Sequence, residues 1–178
     1  MIKKRILLIE DDPDHADLII NALNEEEGND DNEIFLIKDG QDAIDYFNKN
    51  DLHENACQAE FNSDGQEYFQ TELILLDINL PKVNGMDILK YIRKIPGYSA
   101  TPVTIMSTDS HKDTVEEAFR FGANSFMEKL DSYDKLVEKL KSMKKSFTRS
   151  YALPKYSNFS LLRNNFLPPV PEWVGGIS

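Results

Sequence analysis

Short, uninterrupted runs of apolar residues constrain the fold of this chain of 178 residues more than any other feature of its sequence. The run at 6–9 lacks the alternation of a half-exposed strand, so it predicts a strand buried on both faces, as in parallel sheets. Further apolar runs predict strands at 34–37, 73–76 and 103–106, and the short segment 124–127 is assigned as a fifth strand. Five short strands therefore set the framework of the predicted fold.

Amphipathic segments separate and follow these strands. Each carries apolar residues at helical spacing, which predicts five helices, and Pro13 suits the first turn of the first helix. The alternation of strands and helices predicts an α/β fold in which helices cover both faces of a parallel sheet. The residues expected on the apolar helix faces are Ala16, Ile19, Ile20 and Leu23, then Ala43, Ile44 and Phe47, then Met86, Leu89, Ile92 and Ile95, then Val115, Ala118 and Phe119, and finally Leu136, Val137, Leu140 and Met143.

Two segments lie outside this alternation. Residues 48–71 form an acidic connection that is longer than most loops in compact domains. Residues 148–178 are rich in proline and aromatic residues, and the closely spaced prolines exclude a regular helix there. The sequence therefore predicts one domain over 3–147 and a C-terminal extension over 148–178, without an effector domain.

The charge and cysteine content narrow the classes of function. A formal net charge of -11 argues against nucleic-acid binding, because such domains cluster lysine and arginine to neutralise phosphates. The single cysteine, Cys57, excludes an intramolecular disulfide and fits a reducing cytoplasm. The apolar run near the N-terminus is too short for a signal peptide, and no run approaches the roughly 18 residues of a membrane-spanning helix. A cytoplasmic protein that binds neither nucleic acid nor membrane is expected.

Polar residues follow the predicted strands at one rim of the sheet, where the carboxyl ends of parallel strands meet. They are Glu10 and Asp11 after the first strand, Asp77 after the third, Ser107 after the fourth and Lys129 after the fifth. Crowded carboxylates repel one another, a penalty that a bound divalent cation removes. Oxygen ligands without Cys or His nearby favour Mg²⁺ or Mn²⁺, and Mg²⁺ keeps positions free for phosphate oxygens. The cluster is therefore interpreted as a phosphoryl-transfer site with Asp77 as the nucleophile.

Four stretches of the chain resemble the receiver domain of bacterial response regulators, over roughly residues 3–147. They are ILLIEDDPD, ELILLDINLPKVNGMDIL, TPVTIMST and FGANSFMEK. The resemblance implies a flavodoxin-like, doubly wound sheet of five parallel strands in the order 2-1-3-4-5, with five helices. It also implies that a sensor histidine kinase or a phosphotransfer protein supplies the phosphoryl group.

Carried over by position, the resemblance gives each residue of the rim a role. On phosphorylation, Ser107 would move towards a phosphoryl oxygen and Phe126 would rotate into the vacated space, which shifts the balance between two packings. The only chemistry implied is self-catalysed phosphorylation and autodephosphorylation, so the chain is not expected to be an enzyme. The implied metal ligands are Glu10, Asp11, Asp77 and the backbone carbonyl of Asn79, the phosphoacceptor is Asp77, the residues that bind phosphoryl oxygens are Ser107 and Lys129, and the switch residues are Ser107 and Phe126.

Two positions depart from the family pattern. Leu130 replaces the proline that usually follows the lysine, so the peptide after Lys129 is expected to be trans, because a cis non-proline peptide costs about 3 kcal/mol. Phe126 replaces the usual tyrosine, so its two positions would be separated by packing alone.

Taken singly, the site residues have plainer explanations. Asp77 could be a loop or helix-capping carboxylate, and Asp12 is expected to cap the first helix. Ser107 could be a satisfied strand-end hydroxyl, and Lys129 a solvated surface lysine. Their joint occurrence at the ends of successive strands favours the functional interpretation.

Three other functions are alternatives. A haloacid-dehalogenase-like phosphatase also phosphorylates an aspartate, but it needs an acid two residues later, where this chain has Asn79. A flavin-binding module needs a phosphate-cradling loop of Ser, Thr and Gly after the first strand, where this chain has EDDPD. A degenerate, metal-free scaffold would lack some of the site residues, all of which are present.

A second, weaker resemblance is to the small response regulators that partner bacterial phytochromes. It rests on the acidic insertion, the absence of an effector domain and the Tyr-Ala-Leu-Pro stretch in the extension. It implies a phytochrome-like kinase as partner and a homodimer, with Phe166 and Trp173 as anchors of an ordered tail. A tail without fixed structure is the alternative.

Overall fold

A computed structural model describes residues 3–24, 32–54, 69–129 and 132–150. Within these ranges, five strands and five helices alternate along the chain, as the sequence predicted. The elements are β1 (Lys3–Ile9), α1 (Pro13–Asn24), β2 (Asn32–Ile37), α2 (Gly40–Glu54), β3 (Phe69–Asp77), α3 (Gly85–Ile92), β4 (Val103–Ser107), α4 (Lys112–Arg120), β5 (Ser125–Glu128) and α5 (Tyr133–Ser150).

The strands form a parallel sheet in the order β2-β1-β3-β4-β5, which confirms the predicted doubly wound fold. β1 pairs with β2 on one side and with β3 on the other, so the strand order reverses between β1 and β3. Doubly wound sheets place their sites at this switch point, beyond the carboxyl ends of the strands. The residues that follow β1 and β3 are therefore neighbours at the rim.

A hydrophobic core on each face of the sheet explains the uninterrupted apolar runs. In β1, Leu7 and Ile9 belong to the core that includes residues of α2, α3 and α4, whereas Ile6 and Leu8 belong to the core that includes residues of α1 and α5. None of these four side chains is more than 1% exposed. Because burial of such a side chain contributes about 1.5 to 3 kcal/mol, both cores hold the strand that leads into the rim.

Helix α3 ends earlier than the sequence predicted. It stops at Ile92, and Ile95 is buried in the turns that follow instead of on the helix. Arg93 caps the helix, and its guanidinium donates to the carbonyls of Gly122 and Thr101, in each case at 2.9 Å. These contacts from neighbouring loops hold the chain in turns where its apolar spacing would allow another helical turn.

Two further details differ from the prediction. Helix α2 continues to Glu54 and β3 begins at Phe69, so both ends of the predicted connection at 48–71 belong to regular structure. In α4, Ala118 is fully buried, but Phe119, which was predicted on the same face, is 49% exposed. Consecutive residues of a helix point about 100° apart, and α4 turns Ala118 towards the core in place of Phe119.

Several predictions concern residues that the structure does not describe. These are most of the acidic connection, nearly all of the extension at 148–178 with its anchors Phe166 and Trp173, and the peptide between Lys129 and Leu130. No helix in the described ranges combines the length and the apolar character needed to cross a membrane.

Candidate phosphorylation and metal site

Three carboxylates meet at the switch point of the sheet. Glu10 and Asp11 follow β1, Asp77 ends β3, and one carboxylate oxygen from each lies within 4.8 Å of the other two. The side chains of Glu10 and Asp77 are 0% and 5% exposed, whereas Asp11 is exposed. The structure thus brings together the three acids that the sequence placed at strand ends, with an open side at Asp11.

Lys129 connects two of these carboxylates. Its ammonium nitrogen lies 2.7 Å from Glu10 Oε2 and 2.9 Å from Asp77 Oδ2, and its side chain is only 10% exposed. The backbone amide of Lys129 donates to the carbonyl of Ser107 at 2.8 Å, so the pairing of β4 with β5 places the lysine at the rim. One ammonium therefore serves two buried carboxylates, and Asp11 adds a third negative charge.

The buried charges perturb one another. Burial raises the pKa of the Glu10 carboxyl, and the nearby Asp77 carboxylate acts in the same direction, whereas the hydrogen bond from Lys129 opposes them. Burial acts to lower the pKa of Lys129, but its hydrogen bonds to Asp77 and Glu10 outweigh burial, so that this pKa is raised. The ammonium of Lys129 therefore stays charged at neutral pH.

The second oxygen of Asp77 has no such partner. Asp77 Oδ1 is buried and accepts no hydrogen bond from the described part of the chain. An unpaired buried carboxylate oxygen is costly, so this end of the cluster favours a ligand that brings positive charge. With oxygen donors from Glu10 and Asp11 beside it, the set fits a hard divalent cation such as Mg²⁺ or Mn²⁺.

Ser107 and Phe126, the predicted switch residues, lie on the neighbouring strands. Ser107 ends β4 and is fully buried, and its hydroxyl oxygen accepts a hydrogen bond from the amide of Asp109 at 3.0 Å. Phe126 lies in β5 opposite Ile105 of β4 and is half-buried against the core that contains α3. The two side chains therefore belong to adjacent strands.

The loop after β3 carries Asn79, the predicted carbonyl ligand, whose side chain is exposed. Gly85 closes this loop by donating its amide to the carbonyl of Ile78 at 2.9 Å. A Cβ atom at Gly85 would lie 2.0 Å from the carbonyl oxygen of Asp77, so only glycine allows the start of α3 to approach the phosphoacceptor strand so closely. The glycine thereby fixes the far end of the loop against the site.

Asp12 has the role that the sequence predicted for it. Its Oδ1 accepts hydrogen bonds from the amides of Asp14 and His15, at 2.9 and 3.1 Å, which caps the start of α1. The cap also brings His15 to the rim, where its Nδ1 lies 3.8 Å from Glu10 Oε1. His15 has no metal-ligand spacing to the other histidines in the sequence, and only the turn at the start of α1 reveals its position.

Two other neighbours of the site were also missed. Asp39, after β2, and Lys82, in the loop after β3, form an ion pair at 2.6 Å. They are separated by 43 positions, and no motif links them. The proline before Lys82 and the glycine at Gly85 marked a turn, but the partner of the lysine depends on which strands are adjacent.

Comparisons with known proteins agree with this geometry. The family described as "Response regulator receiver domain" matches residues 6–141. The "Probable methanogenesis regulatory protein FilR2" of Methanothrix harundinacea is 31% identical over 148 residues, which cover 82% of this chain and 86% of that protein. "Response regulator Rcp1" of Synechocystis is 25% identical over 151 residues, which cover 85% of this chain and 93% of that protein.

Solved structures extend the agreement to three dimensions. The phosphorylated cyanobacterial phytochrome response regulator RcpA is similar with a TM-score of 0.67 and 26% identity, over 85% of this chain and 99% of RcpA. The Mn²⁺-bound form of Rcp1 has a TM-score of 0.65 and 24% identity over 85% of this chain and 99% of Rcp1, and this likeness shows the fold. From its matching sequence, strand order and acidic rim, the chain belongs to the response regulator receiver family, whose members act in phosphorylation-based two-component signalling.

Proposed function

We propose that Asp77 accepts a phosphoryl group from a sensor histidine kinase or a phosphotransfer protein, and that the phosphorylated domain signals through altered protein contacts. The observation that carries this proposal is the unequal state of the two Asp77 oxygens. Oδ2 lies 2.9 Å from the ammonium of Lys129, while the buried Oδ1 has no hydrogen bond within the described residues. One oxygen is held in place and the other is available to attack phosphorus.

The proposed reaction is a direct displacement at phosphorus. Asp77 Oδ1 forms a bond to the phosphorus of a donor phosphohistidine, while the phosphorus–nitrogen bond breaks and the imidazole leaves with the electron pair. Lys129 orients the nucleophile through Oδ2 and balances part of the charge that the phosphoryl group brings. Attack of water on the aspartyl phosphate then returns the carboxylate and releases inorganic phosphate.

We propose that Glu10, Asp11, Asp77 and the backbone carbonyl of Asn79 bind Mg²⁺ or Mn²⁺. The three carboxylates support this set, because they are oxygen donors that lie close together and exceed the positive charge beside them. A cation there would neutralise charge on the phosphoryl oxygens during transfer. Rcp1, to which the chain is similar, has been solved in a Mn²⁺-bound form.

Ser107 and Phe126 are proposed to transmit phosphorylation to the surface. A phosphoryl dianion at Asp77 would draw the Ser107 hydroxyl from the Asp109 amide, and Phe126 would move into the space left. The surface formed by α4, β5 and α5 would then change shape and make or break a protein contact. The half-buried state of Phe126 supports this role, since such a side chain has access to both solvent and core.

The donor is proposed to be a phytochrome-like kinase, and the chain to form a homodimer. The similarity to RcpA, a phytochrome response regulator, supports the kinase class. The formal net charge of -11 is unsuited to a nucleic-acid partner and fits a protein partner.

The phosphoacceptor can be tested with acetyl phosphate and Mg²⁺, by intact mass and gel filtration of the full chain. We expect the wild type to gain the mass of one phosphoryl group and Asp77→Asn to gain none, because an amide cannot serve as the nucleophile. Asp87→Asn, an exposed carboxylate on α3, is the matched control and should be modified like the wild type. Equal modification of wild type and Asp77→Asn would remove Asp77 as the acceptor, and no modification of the wild type would remove the proposed function.

A further inference from the structure

The loop between β3 and α3 contains a strained turn. Lys82 has a φ of 65° and is the sole non-glycine residue with positive φ in the described ranges. The amide of Val83 donates to the carbonyl of Pro81 at 2.8 Å, which closes a three-residue γ-turn around Lys82. This conformation is unfavourable for a residue with a side chain, so surrounding contacts must hold it.

The start of α2 supplies those contacts. The amide of Gly40 donates to the carbonyl of Pro81 at 3.2 Å. A Cβ atom at Gly40 would lie 2.1 Å from the carbonyl oxygen of Val83, so the turn packs directly on the backbone of the helix. The ammonium of Lys82 lies 2.6 Å from Asp39 Oδ2, which closes the contact through side chains.

Asp39 is itself fixed. Its Oδ1 accepts a hydrogen bond from the amide of Asp42 at 2.9 Å, and its side chain is 16% exposed. The hydrogen bond from Lys82, with that from Asp42, lowers the pKa of Asp39, so the carboxylate is ionised at neutral pH. Because one oxygen caps α2 and the other binds the lysine, Asp39 joins the turn to a rigid helix.

Asn79 lies between two fixed points of this loop. On one side, the amide of Ile78 donates to the carbonyl of Met106 at 3.3 Å. On the other side, Pro81 accepts the bond from Gly40. The span between these points is short, so a shift of the turn must move the backbone at Asn79.

We propose that Asp39 and Lys82 are positioning residues, whose ion pair holds the turn so that the backbone carbonyl of Asn79 points to the metal. This inference rests on the proposed function, because it requires that the Asn79 carbonyl is a metal ligand. It assigns a role to an ion pair that lies outside the carboxylate cluster. Neither residue touches the three acids, so the effect is carried by the loop. Mg²⁺ demands near-ideal geometry from its ligands, and a displaced carbonyl weakens binding without removing the acids.

Metal titration of four single variants of the full chain tests the proposal. Asp39→Asn keeps an oxygen for the Asp42 amide but removes the charge that pairs with Lys82. Lys82→Met removes the ammonium and keeps the stem, whereas Lys82→Gly also relieves the positive φ. Lys4→Met is the control, because the Lys4–Glu72 pair is equally short at 2.7 Å but lies at the opposite end of the sheet.

We expect Asp39→Asn and Lys82→Met to weaken Mn²⁺ binding about twofold to fivefold, the range for a partly exposed ion pair. Lys82→Gly should weaken it less, because glycine adopts the positive φ without strain. Lys4→Met should bind like the wild type. Phosphorylation by acetyl phosphate should be slowed at limiting Mg²⁺ and restored at saturating Mg²⁺, because the acceptor and lysine of the site are intact. The double variant Asp39→Asn/Lys82→Met should be no weaker than either single variant, since both remove one contact.

The outcomes separate this proposal from the one on which it rests. Wild-type affinity in Asp39→Asn and Lys82→Met would overturn the positioning role while the phosphoacceptor assignment stands. A loss of affinity in Lys82→Met with wild-type affinity in Asp39→Asn would overturn the ion pair as the cause, because the lysine would then act without its partner. A wild type that binds no Mn²⁺ and accepts no phosphoryl group would overturn the proposed function itself.

Discussion

The two ends of the sheet carry similar charged groups in opposite arrangements. At the amino end, Lys4 pairs with Glu72 at 2.7 Å, with side chains 50% and 17% exposed, so each positive charge has its own negative partner near solvent. At the carboxyl end, Lys129 faces both Glu10 and Asp77, and all three side chains are at most 10% exposed. The amino end pairs its charges near the surface, whereas the carboxyl end buries two carboxyl groups against one ammonium.

This difference separates exposed ion pairs, which have little effect on stability, from buried charges that a bound cation can relieve. Exposed pairs contribute little, since water screens them and long side chains lose freedom in forming them. A buried excess of carboxylate destabilises the empty domain, and it is relieved when a cation arrives. The unfavourable electrostatic interactions therefore lie at the carboxyl end of the sheet, where a bound cation can relieve them.

The largest effect is expected from removal of the Lys129 ammonium, which lies between the two buried carboxylates. Lys129→Met leaves two buried carboxylates without a countercharge, so the free energy of unfolding should fall by about 3 kcal/mol. Urea denaturation in the presence of a chelator measures this loss. A loss below about 1 kcal/mol would show that the contacts of Lys129 are no stronger than an exposed surface pair, which would contradict the distinction between the two ends.

Metal binding should produce the next largest effect, and only at the carboxyl end. At a free Mn²⁺ concentration of one hundred times its dissociation constant, the free energy of unfolding should rise by about 2.7 kcal/mol. Glu72→Gln, which alters the amino end, should show the same rise. Denaturation with and without Mn²⁺ measures it, and an equal rise in a variant lacking both Glu10 and Asp11 carboxylates would contradict the assigned site.

A smaller gain is expected when one buried carboxylate is neutralised. Glu10→Gln should stabilise the metal-free domain by about 1 to 2 kcal/mol at neutral pH, because it removes repulsion and the burial of a charge. The pKa of Glu10 is raised in the folded state, so its ionisation costs stability as pH rises from its ordinary value of 4.5 through the raised value. The advantage of the variant should therefore disappear below pH 4.5. Stability curves of both proteins against pH measure this, and a destabilised variant at neutral pH would contradict it.

The smallest effect belongs to the amino end. Lys4→Met should change the free energy of unfolding by about 0.5 kcal/mol or less, because the Lys4–Glu72 pair is partly exposed. The change should shrink further in high salt, which screens exposed charges. A salt-independent loss as large as that of Lys129→Met would remove the distinction between the two ends.

The sequence predicts those parts of this protein that are encoded locally. Apolar runs such as 6–9 mark buried strands, and a polar residue that follows each run lies at the rim because parallel strands share one direction. This reasoning predicted that Glu10, Asp11, Asp77 and Lys129 would converge, and the structure brings them together. The roles assigned to Ser107, Phe126 and Asn79 stay predictions until they are measured.

The features that were missed depend on contacts between distant segments. Apolar spacing alone could not place the end of α3 at Ile92, because the guanidinium of Arg93 donates to the carbonyl of Gly122, 29 positions further along the chain. The same spacing placed both Ala118 and Phe119 on the buried face of α4, but Ala118 is buried and Phe119 is exposed. The pairing of Lys82 with Asp39 requires knowledge of which loops are adjacent, and a single sequence carries no local mark of it.

The hydrogen bond from the Asp109 amide to the Ser107 hydroxyl affects how selectively the proposed switch would respond to phosphorylation. It gives that hydroxyl a defined resting orientation, and leaving it forfeits about 1 kcal/mol. In the proposed switch, this cost disfavours a reoriented hydroxyl in the resting domain, whereas a phosphoryl dianion would accept a charge-assisted hydrogen bond from the hydroxyl and outweigh the cost. For the proposed switch, this backbone amide therefore sets the free-energy cost of leaving the resting orientation.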